Sequence, residues 1–319
     1  MELDEGEMIE NKKIAVVVPC FRVRKFLKQV VLDLPEFIDF VIVVDDKCPQ
    51  KSYEVVLGLE KVIVINHKEN LGVGGAVVSG YKKAIELGAD VVVKVDGDGQ
   101  MDSSKIHKLI KPILEGKADY TKGNRFRDFK ALKSMPKVRL FGNSALSFLI
   151  KIVSGYWSIM DPTNGFTAIN RESLEDLELD KLSKRYFFES DMLINLNIEN
   201  KVVKDVSMPA KYGDEESSLN AGKILYQFPP KIIKGFLKRI FFKYFIYNFN
   251  MASVYTIFGF PMVIFGTIFG AVKWYESVES GIEATTGTVM LSVLPIILGV
   301  QFLLQAINID ISSEPKDKV

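Results

Sequence analysis

Two stretches without a single charged residue, Tyr244–Val272 and Ala284–Ile309, close the chain. Each is longer than the ~20 residues an apolar helix needs to cross a bilayer. Two buried core helices are the alternative, and the uncharged stretches are too long for it. A membrane hairpin is therefore expected over 246–310, with spans at about 250–272 and 288–309. The preceding ~240 residues are enough for one large α/β domain or two small ones. Net charge is +1, which excludes a global nucleic-acid signature. Cys20 and Cys48 form neither a disulfide framework nor a metal-ligand spacing, consistent with a reducing compartment. Residues 1–12 are acidic, lack the apolar core of a signal peptide, and are expected to be a flexible tail.

Between these ends, β-branched runs alternate with helical patterns. Ile14–Val18, Phe40–Val44, Val62–Ile65 and Val91–Val95 are expected strands. Lys25–Leu34, Ser52–Leu59 and Gly75–Leu87 are the helices between them. This alternation implies βαβ units and a parallel sheet, whose ligands bind beyond the carboxyl ends of the strands. Further on, Ser103–Leu114 is an expected helix capped by Ser103. A strand near Ala118–Lys122, a mobile polar loop over Gly123–Met135 and a helix over Val138–Ser154 follow. Asp161-Pro-Thr-Asn-Gly165 is a turn signal leading into a strand at Phe166–Ile169. A helix at Phe187–Asn197, a strand at Val202–Met208 and a polar loop at Asp214–Gly222 complete the domain, 13–225.

Residues 226–245 are expected to lie at the membrane interface. Ile232, Ile233, Phe236, Leu237, Ile240 and Phe241 fall on one side of the Lys231–Lys243 helix, and Lys231, Lys234 and Lys238 fall opposite. Five basic residues precede the first span, whereas the inter-span loop sets Lys273 against Glu276, Glu279 and Glu283. The positive-inside rule then predicts a cell-membrane protein with a cytoplasmic main domain and a cytoplasmic tail, 311–319. Gly259, Gly266 and Gly270 would permit close helix contact, including self-association into a homo-oligomer.

Several side chains carry chemistry. Asp96-x-Asp98 at a strand end can share a hard divalent cation, Mg²⁺ or Mn²⁺, which would neutralise a diphosphate. Gln100 beyond it and Asp45-Asp46 at a neighbouring strand end strengthen that reading over a solvated turn. Asn70-Leu-Gly-Val-Gly-Gly-Ala76 opens a helix, where glycines admit close backbone approach and an N-terminus favours anions. It is neither a Walker A loop nor a dinucleotide fingerprint, and a plain turn-and-cap is the alternative. Arg125, Arg127 and Arg139 flank the polar loop with forks that match phosphate oxygens, or are scattered surface arginines. Asp161, Glu189 and Asp191 each have the chemistry of a base or a sugar-positioning group, while His67 and His107 lack partner spacing and are read as structural or exposed.

The order Pro19-Cys20-Phe21, Asp45-Asp46, Glu69-Asn70-x-Gly72-x-Gly74-Gly75-Ala76, Asp96-Gly97-Asp98-Gly99-Gln100 resembles family 2 glycosyltransferases of the nucleotide-diphospho-sugar transferase fold. With Gly123-Asn124-Arg125-Phe126, Arg139-x-x-Gly142-Asn143, Asp161-Pro-Thr-Asn-Gly-Phe166 and the hairpin, it resembles the polyprenyl- and dolichyl-phosphate sugar synthases. The resemblance covers roughly residues 12–310. It implies a GT-A, Rossmann-like α/β domain with a mostly parallel sheet. It also implies inverting, single transfer of a hexose from a nucleotide sugar to a polyprenyl phosphate.

By that resemblance, Pro19, Phe21, Asp45, Asp46, Gly74 and Asp96 bind the nucleotide. Asp96, Asp98 and Gln100 hold Mg²⁺ or Mn²⁺ and the diphosphate. Arg125, Arg139 and Asn143 grip the lipid phosphate, and Asp98, Asp161, Arg125 and Arg139 form the catalytic set. The chain departs from the family at Arg22-Val23, where Asn-Glu is usual, and at Asp45-Asp-Lys-Cys-Pro-Gln50, where Asp-Asp-Gly-Ser-x-Asp is usual. Both departures fall in the nucleotide pocket. A UDP-hexose, UDP-glucose in particular, is the favoured donor, with GDP-mannose open. A hydroxyl acceptor and a non-catalytic membrane scaffold are the other readings.

Overall fold

The structure is a computed structural model that describes residues 11–125, 137–208 and 221–316, with the side chains of 137–144 and 221–227 outside the description. It divides into two compact units, one running to Arg239 and including the C-terminal residues from Pro315, the other Ile240–Glu314.

In the first unit, β1 (Ile14–Cys20), β2 (Phe40–Asp45), β3 (Val62–Asn66) and β4 (Val91–Lys94) are parallel. The first two of these strands and β4 are buried on both faces, as valine-rich runs of this kind predict. One face packs on α2 (Val73–Glu86) and α6 (Phe188–Ile198). The other packs on α1 (Arg24–Leu32) and α3 (Ile106–Leu114). The remaining strands are β5 (Tyr120–Asn124), β6 (Thr167–Asn170) and β7 (Val203–Ser207), and the sheet order is β3-β2-β1-β4-β6-β5-β7.

Strand β6 is antiparallel to both neighbours, pairing Lys94 with Thr167 on one side and Lys122 with Thr167 on the other. Alternation of strands and helices predicts parallel crossovers and does not foresee this reversal. Its cause is the route of the chain. After α4 (Lys137–Ser154) the chain returns over the carboxyl edge of the sheet and enters β6 from that edge. The turn before β6 is therefore delivered to the end of β4.

The expected cap at Ser103 is displaced by one residue. Asp102 accepts from the Ser104 amide at 3.1 Å and caps a short 3₁₀ turn, Ser103–Lys105, ahead of α3. Ser52–Leu59 also tightens into a 3₁₀ turn, Ser52–Val56. A short helix, α5 (Arg171–Asp176), escapes the sequence pattern; Asn170 caps it through the Ser173 amide.

Helix α7 (Ala221–Phe241) exposes Ile233, Leu237 and Phe241 at i, i+4 and i+8, while Gly235 and Arg239 are buried. Arg239 is one of the five basic residues that sequence reasoning counts toward the head groups. It instead lies fully inside the unit, donating from Nε to the Val153 carbonyl at 2.7 Å and from Nη2 to the Ile152 carbonyl at 3.0 Å. It thus supplies the cation and donors that the C-terminal carbonyls of α4 lack.

In the second unit, α8 (Met251–Ser280) and α9 (Thr286–Ser312) are both long and apolar enough to span a bilayer. Asn250 and Ser253 form a capping box at the start of α8. Asp310, a buried carboxylate near the end of α9, accepts from the Tyr244 hydroxyl at 2.6 Å. The glycines that sequence reasoning offers for self-association are spent inside the hairpin. A Cβ on Gly266 would lie 2.6 Å from the Ser292 carbonyl, and one on Gly299 would lie 2.8 Å from the Gly259 carbonyl. Close backbone contact of this kind is the contact that would hold two helices together in a bilayer, where lipid supplies no hydrophobic drive.

Gly266→Leu is expected to lower the melting midpoint of the detergent-solubilised protein, because overpacking costs about 1–3 kcal/mol. Gly287→Ala, at a helical position with only a 3.9 Å neighbour, is the matched control and should leave the midpoint unchanged or raise it.

Candidate active site

The carboxyl edge of the parallel strands collects most of the predicted residues. At the end of β2 the two aspartates have different fates. Asp46 is 2% exposed and its carboxylate is consumed within the protein. Oδ1 accepts from the Leu71 amide at 2.7 Å and meets His67 Nδ1 at 2.9 Å, and Oδ2 accepts from the Gly72 amide at 2.7 Å. His67 continues to Ser79 Oγ at 2.9 Å. The anion at the start of α2 is thus the chain's own carboxylate. Gly72 has φ +88° and would place a Cβ 2.6 Å from the Lys184 carbonyl, and Gly74 is buried against Ser183 and Phe188. The close approach for which this glycine turn is built is intramolecular, and His67 is structural, as read from the sequence.

Asp45 is the opposite case. It is buried, its Oδ2 accepts from the Cys48 amide at 3.1 Å, and its Oδ1 has no hydrogen-bond partner. Burial raises its carboxyl above the usual range. An orphaned buried oxygen costs free energy unless something completes it. Beside it, Pro19 is half-buried and Phe21 is exposed, with the Arg22 guanidinium 5.3 Å above the Phe21 ring.

Past β4, Asp96 and Asp98 are half-buried and Gln100 is exposed on a turn in which the Gln100 amide donates to Asp98 Oδ1 at 3.0 Å. Asp96 Oδ1 is 2.8 Å from Lys94 Nζ. Two hard carboxylates on a partly open turn fit a cation such as Mg²⁺ or Mn²⁺. Among the described residues no group of three carboxylate, imidazole or thiol side chains converges. Asp96 and Asp98 would therefore hold such an ion together with water and substrate oxygens.

Arg125 and Asp161 form one unit. Asp161 is fully buried and binds Arg125 Nε at 2.8 Å and Nη2 at 3.1 Å, while the arginine side chain stays 43% exposed. The sequence placed both in the site; the structure adds that the aspartate anchors the arginine. Arg139 and Asn143 fall within α4, and their side chains lie outside the described residues, as does Arg127. Asp191 accepts from the Ser183 amide at 2.7 Å and serves the local fold.

Three groups went unread in the sequence. Lys94 and Lys122 flank Thr167 from the two strands that border β6, and cross-strand partners share a face, so two fully buried lysines lie on the same face with Thr167 between them. Burial lowers the Lys122 amine to about 8, with Glu189 and Asp161 opposing that fall. Its Nζ donates to the Asn164 carbonyl. Asp205 on β7 accepts from the Met160 amide at 2.7 Å and from Asn124 Nδ2 at 2.8 Å. Burial pushes its carboxyl up to about 6. Lys122, Asp205 and Asn164, whose Nδ2 donates to the Gly123 carbonyl at 2.6 Å, together pin the turn that carries Asp161. A lysine closing the valine run of β4 and another in the middle of β5 are the only trace of this in the sequence.

Residues 15–178 match the Glycosyl transferase family 2 profile. A UDP-N-acetylglucosamine–dolichyl-phosphate N-acetylglucosaminyltransferase of Methanococcus voltae is 34% identical over 61% of this chain and 86% of its own length. A dolichol-phosphate mannosyltransferase of Pyrococcus furiosus is 27% identical over 68% of this chain and 61% of its own. Among solved structures, glucosyl-3-phosphoglycerate synthase of Mycobacterium tuberculosis, crystallised with Mn²⁺ and UDP, superposes with a TM-score of 0.56 at 18% identity, over 75% of this chain and 85% of that one. That likeness shows a shared GT-A-like fold.

Two outcomes follow from the pinned turn and the anchored glycine loop. Asp46→Ala strands two backbone amides and His67, and is expected to cost about 2–4 kcal/mol, read as a fall in melting midpoint. For Asp205, a folded value of about 6 above the ordinary 3.8 means its contribution is present below pH 4 and lost as pH rises through 6. The melting midpoint of Asp205→Asn relative to the parent is expected to rise between pH 4.5 and 7; a flat difference would contradict the burial of that charge.

Proposed function

The chain belongs to glycosyl transferase family 2, and on that premise we propose that it transfers a hexose from a nucleoside-diphosphate sugar to a polyprenyl phosphate at the cytoplasmic face of a membrane. The observation that carries this reading is one chain uniting an Asp96-x-Asp98 turn at a strand end with a hairpin of two bilayer-length apolar helices. The names of the Methanococcus and Pyrococcus relatives, each a dolichyl-phosphate sugar transferase, support the acceptor class.

In this account the nucleotide lies along the ends of β1, β2 and β4. Phe21 offers an exposed ring to the base, and the unpartnered Asp45 oxygen accepts a donor from the base or ribose. Asp96 and Asp98 hold Mg²⁺ or Mn²⁺, which when bound offsets the charge of the diphosphate. The donor is a UDP-hexose. UDP-glucose is the sugar favoured by the resemblance of the two-helix anchor to that of lipid-carrier glucosyltransferases, and the Methanococcus relative's name adds UDP-N-acetylglucosamine. GDP-mannose stands behind them.

A phosphate monoester whose second ionisation lies near ~6 is largely dianionic at neutral pH, so it attacks without a general base. Its difficulty is approach to a second anion. Arg125, aimed by Asp161, and Arg139 with Asn143 on α4 bind the incoming phosphate and lower that repulsion. One oxygen of the phosphate forms the new bond to the anomeric carbon as the bond to the departing nucleoside diphosphate breaks. A single displacement inverts the centre, and an α-linked donor yields a β-linked lipid-phosphate sugar.

Site variants separate the roles. Asp98→Ala is expected to reduce sugar transfer by about 10²-fold or more, measured as radiolabelled sugar extracted into the lipid phase. Arg139→Ala is expected to raise the polyprenyl phosphate needed for half-maximal rate about tenfold, the loss of one charge-assisted hydrogen bond. An unchanged lipid requirement would remove Arg139 from the acceptor site.

A further inference from the structure

Strand β4 reads Val91-Val92-Val93-Lys94, and the lysine at its end is 1% exposed. An ammonium in such a place persists only when paired. Its Nζ lies 2.8 Å from Asp96 Oδ1 and 3.2 Å from Glu189 Oε1. One ammonium thus meets both carboxylates. The row is closed at its centre and open at its ends, the side chains of Lys94, Asp96 and Glu189 being 2%, 30% and 15% exposed. Gly165 covers the pair. A Cβ there would stand 2.5 Å from Lys94 Nζ and 2.7 Å from Asp96 Oδ2. Backbone, with no side chain, is what fits over this contact.

We propose that Lys94 is a positioning residue, whose buried ammonium, held by Glu189, fixes one oxygen of Asp96 and so presets that carboxylate as a ligand for a divalent cation. The proposal rests on the reading of Asp96 as a metal ligand. Two effects compete at such a residue. A fixed positive charge repels an incoming cation, so charge alone predicts that removing Lys94 tightens metal binding. Orientation predicts the reverse. Without the ammonium, Asp96 and Glu189 face each other across the emptied space, and Asp96 can turn into it. Partners that orient metal ligands are typically worth about 10- to 100-fold in metal affinity, and the proposal assigns Lys94 that effect, so the sign of the change in affinity decides between the two.

The test is Mn²⁺ binding to the full-length protein in detergent, followed by electron paramagnetic resonance of the free ion. The parent binds Mn²⁺, Asp96→Ala loses it, and Lys94→Met weakens it by about tenfold or more. Glu189→Gln weakens it less, because a neutral acceptor still meets the ammonium. Lys94→Met binding as tightly as the parent, or more tightly, overturns the proposal. Should that variant fail to fold, Gly165→Ala decides. It changes no charge yet crowds the pair, so unchanged Mn²⁺ affinity overturns the proposal and weakened affinity supports it. Asp96→Ala matching the parent, or a parent that takes up no Mn²⁺, removes the metal-ligand reading itself and the proposal with it.

Discussion

The site depends on one contact, the backbone of Gly165 lying against the ion pair of Lys94 and Asp96. It exists because β6 enters the sheet from the carboxyl edge, against the direction of β4 and β5. A parallel β6 would have carried the Asp161–Gly165 turn to the far edge. Reversed, the strand sets that turn beside the Asp96-x-Asp98 turn and within reach of Arg125. One strand's direction thus brings the Asp96-x-Asp98 turn and Arg125 to the same edge.

The cost of this arrangement is charge in a dry interior. Lys94 and Lys122 stand on either side of Thr167, and like charges so placed repel. Carboxylates drawn from three other elements offset them: Asp96 after β4, Glu189 on α6 and Asp205 on β7. The same economy recurs elsewhere, in Asp46 capping the glycine turn and Arg239 capping α4. Groups that look available for substrate or lipid are often already engaged by the protein. The unpartnered oxygen of Asp45, the half-buried Asp98 and the part-exposed Arg125 remain the stronger candidates for ligand contact.

Local physics made much of this legible in the sequence. Valine-rich runs ending at Asp45 and Asp96 mark buried strands, and two long uncharged stretches mark the hairpin. Motif order gave the family. What escaped is set by contacts across the chain. Nothing local says that Lys94 meets Glu189, 95 residues away, or that Arg239 folds back on Val153. A basic residue in an amphipathic helix has the same one-dimensional pattern whether it faces lipid or caps a neighbour. Likewise, a glycine serves a ligand, a turn or a helix contact equally well in one dimension, and only its three-dimensional neighbours show Gly72 packed against Lys184 and Gly266 against Ser292. Asp45 and Asp46 are adjacent and chemically identical; their roles part because successive residues leave a strand on opposite sides.

The central claim is that the acceptor is a lipid phosphate. Its most direct test is nucleoside diphosphate release by the purified full-length protein in detergent with Mn²⁺, across UDP- and GDP-sugars, with and without polyprenyl phosphate. The account predicts release from one donor that depends on the lipid phosphate. Release that is indifferent to the lipid, or that follows a hydroxyl acceptor in its place, would contradict it.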